Sequence, residues 1–257
     1  AMHFSLENNK IPLLTTKKVA YKTCIKELLW FIRGQTDNKL LKDQKVHIWD
    51  ANGSRDFLDS RNLKDRKEDD LGPVYGHQWR HFNASYTTCN ADYSNKGIDQ
   101  LMYIINALKD PKEKYSRRLI MSAWNPCQLD EMALPPCHVL FQFHVSREKY
   151  LHCSMYQRSG DVGLGVPFNI ASYSMLTHII AKHCDLIPYE FVYFLGNAHI
   201  YEDHIEPLKE QIKRVPYSFP KIQIKNKYEN IEAYTLEDIT WIDEYTFHEQ
   251  IKMNMVA

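Results

Sequence analysis

The stretch Leu134-Pro135-Pro136-Cys137-His138 leads directly into a segment with the composition of a β-strand, Val139–Val145. A second predicted strand, Tyr150–Gln157, follows after the polar turn Ser146–Lys149. Because prolines fix φ, a stiff backbone sets the direction of Cys137. A cysteine held in this way is a candidate nucleophile, although most free cysteines are buried and inert.

Helix-like and strand-like patterns share the rest of the chain, which predicts one mixed α/β domain over residues 1–257. Helices are predicted at Tyr21–Arg33, Ile98–Leu108, Asn169–Cys184 and His199–Arg214. Further strands are predicted at Leu119–Met121, Phe191–Leu195 and Phe219–Ile224. The charged segment Asp59–Asp70 is predicted to be a surface loop.

Composition excludes several classes of protein. The chain carries 32 Lys and Arg against 32 Asp and Glu, so its charge gives no support for nucleic-acid or membrane-surface binding. A 44% apolar content excludes a disordered protein. The six cysteines form no C-x-x-C pair and no H-E-x-x-H occurs, so we expect no metal site. Without a signal-peptide pattern or a long apolar run, the sequence predicts a reduced, cytoplasmic protein.

Other polar residues near the predicted ends of elements have both a functional and an ordinary explanation. Arg158-Ser159, directly after a strand, and Arg117-Arg118 could each hold a phosphate, but such residues are more often solvated. Asn169 opens a buried helix, either as an N-cap or as an amide that reads a base. Glu27 lies in an apolar stretch. It is either a surface residue whose carboxylate snorkels to solvent or a buried acid with a functional role. His199 and Tyr201, two apart on a predicted helix, would not share a face.

As a set, these stretches resemble the thymidylate synthase family over essentially the whole chain. The motifs that carry the resemblance are Pro12–Lys17, Glu27–Phe31, Ile48–Gly53, Gly72–Arg80, Ser116–Arg118, Ala133–His138, Tyr156–Asp161, Pro167–Ala171, His199–Tyr201 and Ile251–Met253. The segment Ala51–Asp56 is similar to the eukaryotic branch. The resemblance implies a single-domain α/β fold whose mixed sheet is packed with helices. It further implies that the sheets of two subunits meet back to back in a homodimer.

The activity implied by the resemblance is methyl transfer to dUMP, giving dTMP, with 5,10-methylenetetrahydrofolate as one-carbon donor and reductant and without a metal. Cys137 would attack carbon 6 of uracil, with Arg158 lowering the pKa of the thiol. The implied catalytic residues are Cys137, Glu27, Tyr75, Asn169, Asp161 and Arg158. The implied dUMP-binding residues are Arg117, Arg118, Gln157, Arg158, Ser159, Asn169, His199 and Tyr201. The implied folate-binding residues are Ile48, Trp49, Asn52, Asp161, Leu164, Gly165, Phe168 and Met253.

Three details of the resemblance concern partners and substrate choice. Arg117 and Arg118 would be contributed across the homodimer interface. Asn169 favours uracil, since an aspartate there would suit the cytosine of related hydroxymethylases. The tail Lys252–Ala257 would close over the folate and exclude water.

The family carries a further phosphate-binding arginine in a loop upstream of the segment that resembles His3–Leu6, and this chain starts after that loop. A shortened chain, residues left out of the sequence, or a domain cut from a fusion with an upstream dihydrofolate reductase would each explain this. If the loop is truly absent, we expect weaker dUMP binding. The alternatives to dUMP methylation are pyrimidine hydroxymethylation on the same fold, RNA binding by the dimer, and an inactive member of the family.

Overall fold

In the computed structural model, which describes residues 1–255, five strands form one sheet and two short strands form another. The strands are β1 (Met2–Ser5), β2 (Ile120–Ser122), β3 (His138–Ser146), β4 (Tyr150–Asp161), β5 (Ile187–His199), β6 (Ile222–Ile224) and β7 (Ile239–Trp241). The helices are α1 (Tyr21–Ile32), α2 (Lys39–Lys42), α3 (Arg55–Ser60), α4 (Tyr75–His81), α5 (Gln100–Lys109), α6 (Gly165–His183) and α7 (Ile205–Gln211).

The large sheet has the strand order β1-β5-β4-β3-β2, and its strands β4 and β5 run parallel. A parallel pair needs a crossover, and α6 supplies it by packing against both strands. As a result, the carboxyl ends of β4 and β5 lie side by side at one edge of the sheet, where Asp161 pairs with His199. The amino end of α6 lies between these two strands in the chain, which brings its first turns to the same edge.

The core lies between one face of the sheet and the helices. Helix α6 is buried nearly all round, because it packs on β4 and β5 on one side and on α1 on another. Side chains alternate along the strands, so that Phe141, Phe143 and Met155 point into the core while Leu140 and Tyr156 point outward. Among the described residues no helix combines the length and the apolar composition that crossing a membrane requires.

The predicted α1, α5, α6, β2, β3, β4, β5 and β6 are confirmed, with displaced ends. Helix α6 begins four residues early, at Gly165 and not at Asn169. Asp161 explains the earlier start, because its carboxylate accepts hydrogen bonds from the backbone N–H groups of Gly163, Leu164 and Gly165. The interpretation of Asn169 as an N-cap is therefore wrong.

Two other predictions are corrected. The helix predicted at His199–Arg214 begins only at Ile205, because His199 still pairs with β4 and a 3-10 turn at Glu202–His204 comes between. Strand pairing here overrides the helical pattern of the sequence. Segment Asp59–Asp70 is also not wholly a surface loop, since its last two residues are buried and accept hydrogen bonds from Asn38 and Tyr86.

Candidate active site

Cys137 stands immediately before β3, and hydrogen bonds fix its backbone on both sides. Its N–H donates to the Tyr75 hydroxyl oxygen at 2.7 Å, and its carbonyl accepts from the backbone N–H of Arg158 at 2.8 Å. The second bond ties the cysteine to β4 close to the carboxyl end of that strand. The half-buried thiol therefore has a fixed position at the edge of the sheet to which α6 also points.

The guanidinium of Arg158 is aimed at this thiol by the two prolines before it. Nε donates to the Pro136 carbonyl at 2.8 Å and Nη2 to the Pro135 carbonyl at 3.0 Å. Nη2 then lies 3.9 Å from Cys137 Sγ, and the guanidinium carbon stands 5.5 Å from the ring centroid of Trp124. The proline pair thus orients a cation as well as the cysteine, which the sequence did not reveal.

Burial raises the pKa of the Cys137 thiol above its ordinary value, and the charge of Arg158 acts against this rise. We expected Arg158 to leave the thiol with a lowered pKa. The contribution of the arginine has the expected direction, but desolvation outweighs it. The chain thus holds a protonated thiol beside a cation that will stabilise the thiolate once it forms.

Tyr75 belongs to a buried chain of three side chains next to Cys137. Its ring stacks on the His138 imidazole at 3.9 Å with 9° between the planes, and His138 Nδ1 lies 2.6 Å from the Tyr173 hydroxyl. Burial lowers the pKa of His138 to about 3, so this imidazole is neutral. Burial also raises the pKa of Tyr75 well above its ordinary value, which keeps the phenol protonated.

Glu27 is buried, at 7% exposed, and its Oε1 accepts a hydrogen bond from Trp49 Nε1–H at 2.7 Å. The alternative of a snorkelling surface residue is therefore wrong. Burial raises the pKa of this carboxyl to about 7, although the Trp49 bond acts in the opposite direction. Because the Trp49 ring also lies 6.3 Å from the Tyr75 ring, this acid belongs to the same buried cluster as Tyr75. A carboxyl group with such a pKa can both give and take a proton near neutrality.

The ends of β4 and β5 bring the remaining predicted binding residues to this edge. Ser159 and Asp161 lie on β4 opposite Asn197 and His199 of β5. The rings of His199 and Tyr201 meet edge to face at 5.2 Å, so the expectation that they would not share a face is wrong.

Gln157 and Asn169 differ in the burial and the hydrogen bonding of their side-chain amides. Gln157 is 2% exposed, donating to the Ser159 carbonyl at 2.8 Å and accepting from the Tyr193 hydroxyl at 2.7 Å. Asn169 is half-buried in the second turn of α6 and faces Gly165. Asn169 is therefore the better placed of the two to read a ligand.

Most of the predicted folate-binding residues are half-buried, as the walls of a ligand site are. Ile48, Asn52, Leu164 and Phe168 are all partly exposed, and the Trp49 ring is buried. Flat aromatic ligands bind between such walls, with a few polar anchors. A tail residue, Met253, lies on the same side, with its Sδ 3.5 Å from Lys17 Nζ. The last two residues of the predicted closing tail, residues 256–257, lie outside the described residues.

Two residues of this region were missed, Lys17 and His204. Lys17 is 4% exposed, and its Nζ also donates to the Gly163 carbonyl. The pKa of Lys17 is lowered by burial, while the charge of Asp161 acts to raise it. His204 lies 3.3 Å from Asp161 and is fully buried. Lys17 stood in the quoted motif Pro12–Lys17 without a role, and nothing in the local sequence marked His204.

Arg117 and Arg118 are exposed and precede β2, which β3 separates from β4. The single chain does not bring them to Arg158 and Ser159. No group of three or more His, Cys, Asp or Glu side chains within residues 1–255 is arranged to hold a metal ion.

Comparison with known proteins gives the same assignment for the whole chain. The family model described as thymidylate synthase matches residues 1–257. The chain belongs to the thymidylate synthase family. It is 54% identical to thymidylate synthase of Saccharomyces cerevisiae over 262 residues, which cover 99% of this chain and 85% of the yeast protein.

Other members of the thymidylate synthase family that resemble this chain are longer. The chain is 54% identical to the bifunctional dihydrofolate reductase-thymidylate synthase of Leishmania amazonensis, covering 49% of that protein. It is 53% identical to the bifunctional protein of Plasmodium chabaudi, covering 43% of it. The chain thus spans about half the length of these bifunctional relatives and most of the yeast thymidylate synthase.

Proposed function

We propose that this chain catalyses the reductive methylation of dUMP to dTMP with 5,10-methylenetetrahydrofolate, and that Cys137 is the nucleophile. The observation that carries the proposal is the 3.9 Å approach of the Arg158 guanidinium to the Cys137 thiol, in a chain of this family. Carbon 5 of uracil is a poor nucleophile. Addition of a thiolate to carbon 6 turns the ring into an enolate that can attack a one-carbon electrophile at carbon 5.

The proton-handling groups have roles that follow from their burial. Glu27, with its pKa raised to about 7, exchanges a proton at the pyrimidine while the enolate forms and collapses. Tyr75 keeps its own proton, holds the Cys137 N–H, and offers its O–H to the site. His138 supports the Tyr75 ring as a neutral imidazole. Arg158 stabilises the thiolate that adds to carbon 6.

Each part of dUMP has a group of suitable chemistry at the sheet edge. Arg158 and Ser159 hold the phosphate through a charged fork and a hydroxyl, with Gln157 supporting Ser159 from below. Asn169 donates to O4 and accepts from N3–H of uracil, and His199 with Tyr201 binds the ribose hydroxyl. The folate supplies the one-carbon unit and the hydride, and is held by Ile48, Trp49, Asn52, Asp161, Leu164, Gly165, Phe168 and Met253.

We also propose a homodimer, formed through the outer face of the large sheet. Leu140, Tyr156 and Phe194 lie opposite one another on three neighbouring strands, and they are 37%, 42% and 45% exposed. A row of large apolar side chains across a sheet is a typical interface. A second copy seated on this face would bring its Arg117 and Arg118 to the phosphate.

Two further proposals concern the surroundings of the chain. A fused upstream dihydrofolate reductase domain is the partner suggested by the bifunctional relatives. Sequencing the transcript upstream of the codon for Ala1 tests it. A cytoplasmic location agrees with the six cysteines, which are all free.

The test of the function is covalent trapping. Incubation with 5-fluoro-dUMP and methylenetetrahydrofolate should give an adduct that mass spectrometry locates on Cys137, and Cys137→Ser should give none. Cys127→Ser, which removes an exposed cysteine, is the matched control and should be trapped like the parent. With dUMP itself, absorbance should report dihydrofolate. A hydroxymethylated product without that rise would assign the chain to hydroxymethylation instead.

A further inference from the structure

His204, a fully buried residue of the 3-10 turn after β5, contacts both the tail of the chain and the candidate site. Its Nδ1 lies 3.3 Å from Oδ1 of Asp161, at the end of β4. Its Nε2 lies 2.7 Å from the backbone carbonyl oxygen of Asn254, in the tail. One imidazole therefore bridges the loop that starts α6 and the last residues that the structure describes.

Both of these bonds can exist together only if both ring nitrogens carry a proton. A backbone carbonyl and an ionised carboxylate accept hydrogen bonds and donate none, while a neutral imidazole donates through a single nitrogen. The Asp161 carboxylate already accepts from three backbone N–H groups, those of Gly163, Leu164 and Gly165, so it acts as an acceptor here. The geometry consequently requires His204 as an imidazolium cation.

Other charged groups lie around His204. Asp203 adds a second carboxylate, with its Oδ1 3.9 Å from Nε2. Tyr201 presents its ring to the imidazole at 5.6 Å and contributes no formal charge. The cation of this region, Lys17, donates to the Gly163 carbonyl and contacts Met253 Sδ, so it binds the same loop and the same tail. Two carboxylates thus face one imidazole, and the lysine contacts the loop and the tail that this imidazole connects.

The bridge also depends on the absence of a side chain at position 163. A Cβ added to Gly163 would lie 2.5 Å from His204 Nδ1 and 3.2 Å from Asp161 Oδ1. The loop can therefore approach the imidazole only because a glycine stands there. Docking of the tail, protonation of His204 and the orientation of Asp161 are linked by these contacts.

We propose that His204 is a positioning residue whose protonated imidazole clamps the tail at Asn254 to Asp161. This proposal rests on the proposed function, since Asp161 belongs to the folate-binding residues. Loss of the bond to Asn254 releases the tail. Folate then binds in a site that is less well closed, so the KM for methylenetetrahydrofolate rises.

Two amide variants separate the two bonds. His204→Gln places an amide nitrogen near the position of Nε2 and keeps the bond to Asn254, whereas His204→Asn places one near Nδ1 and keeps the bond to Asp161. Hydrogen exchange of the Met253 and Asn254 amides should be slow in the parent. It should stay slow in His204→Gln and become fast in His204→Asn.

The kinetic effect should fall on folate. His204→Asn should raise the KM for methylenetetrahydrofolate about tenfold or more, as expected for one lost hydrogen bond to a charged group, with a smaller change in kcat. His248→Gln is the matched control, because His248 Nε2 also meets a backbone carbonyl, that of Val215 at 2.8 Å, on the segment leading to the tail. It should leave the exchange of the tail and the KM for folate unchanged.

The protonation state can be read without turnover. With ¹⁵N-labelled histidine at pH 6, one imidazole should show two protonated ring nitrogens in a signal that disappears in His204→Gln. A neutral His204 at that pH, or equal protection of the tail in the parent and in His204→Asn, would overturn the proposal. A chain that shows the imidazolium signal but forms no covalent adduct would instead overturn the proposed function alone.

Discussion

Glu27 carries its carboxyl group among the apolar side chains of α1, with the Trp49 indole as its hydrogen-bond donor. Burial raises its pKa from an ordinary 4.5 to about 7, so the folded chain holds this proton more tightly than the unfolded chain does. The stability contributed by the neutral acid is therefore fully present below about pH 4.5. It is lost as the pH rises from there through 7.

Glu27→Gln should separate this effect from catalysis. The amide keeps an oxygen for the Trp49 N–H and cannot ionise. The variant should gain stability relative to the parent as the pH rises, on the order of 3 kcal/mol by pH 8. Turnover should fall sharply, because the group that exchanges the proton is gone. Urea unfolding at pH 5 and pH 8 measures the first effect, and the exposed Glu113→Gln should show no such pH-dependent gain.

At the scale of single residues, the sequence predicted the candidate functional residues that stand out from their immediate neighbours in the chain. Glu27 was conspicuous inside an apolar stripe, and Cys137 was conspicuous after two prolines. His204 and Tyr173 were not, because their partners lie 43 and 35 residues away in the chain, at Asp161 and His138. The role of a buried polar side chain follows from what it meets across the fold, and a single sequence does not show this.

Among the helices, α4 depends on a close approach to the loop that follows α1. A Cβ at Gly76 would lie 2.5 Å from the carbonyl oxygen of Gln35. The glycine thus lets the two backbones touch, and this contact fixes the neighbouring Tyr75 beneath the Cys137 N–H. Tyr75 reaches the site because the next residue, Gly76, has no side chain.

Gly76→Ala should therefore destabilise the fold by about 1–3 kcal/mol, as expected for overpacking against backbone. The displacement of Tyr75 should lower kcat as well. Gly165→Ala is the matched control for stability, because a Cβ there meets nothing closer than the Asp161 Cβ at 3.8 Å. Urea unfolding followed by circular dichroism compares the two. Equal unfolding midpoints would contradict the assigned contact.

For the elements, long apolar patterns gave correct predictions, and the elements that were missed are all short. Helices α2, α3 and α4 have four to seven residues, and β1 and β7 have four and three, which is too few for a period to emerge. The last residue of β5, His199, was predicted as the first residue of the helix His199–Arg214. Pairing with β4 decided otherwise.

The whole molecule is expected to lose stability in acid because of its buried histidines. Burial lowers the pKa of His138 to about 3 and that of His178 to about 4. The folded chain therefore keeps both neutral while the unfolded chain takes up protons below about pH 6.5. The free energy of unfolding should fall by about 2 kcal/mol for each histidine between pH 7 and pH 5.

His178→Gln isolates one of these contributions. His178 Nε2 donates to the Lys10 carbonyl at 2.8 Å, and a glutamine amide can make the same bond without titrating. Urea unfolding of the variant should show a smaller loss between pH 7 and pH 5. The exposed His47→Gln serves for comparison and should leave the acid loss as it is in the parent. An unchanged loss in His178→Gln would contradict the assignment.

Assembly can be tested by changing the outer face of the sheet. Phe194→Glu places a charge in the row of Leu140, Tyr156 and Phe194, so sedimentation should show monomers without turnover. Tyr103→Glu, at an equally exposed aromatic residue on α5, should leave the dimer intact.

Sharing of the site across the dimer has its own test. Mixing Cys137→Ser subunits with Arg117→Ala/Arg118→Ala subunits should restore activity that neither variant has alone. The mixed dimer then contains one complete site. Failure to recover activity in demonstrated mixed dimers would contradict the shared site. At this scale the pattern of helices and strands predicted an α/β domain, whereas a second subunit was predicted only from the resemblance, because an exposed row on three strands cannot be recognised without their register.

The pairing of β1 with β5 has a consequence for the order in which the chain is made. Met2–Ser5 leaves the ribosome long before Ile187–His199, its partner in the sheet. At a synthesis rate of about 5–20 residues per second, the first strand waits roughly 10–40 s for it. The parallel pairing of β4 with β5 also cannot form until β5 has been synthesised. During translation the sheet therefore stays incomplete with a bare edge, and the edge where Asp161 pairs with His199 forms only after β5 has emerged.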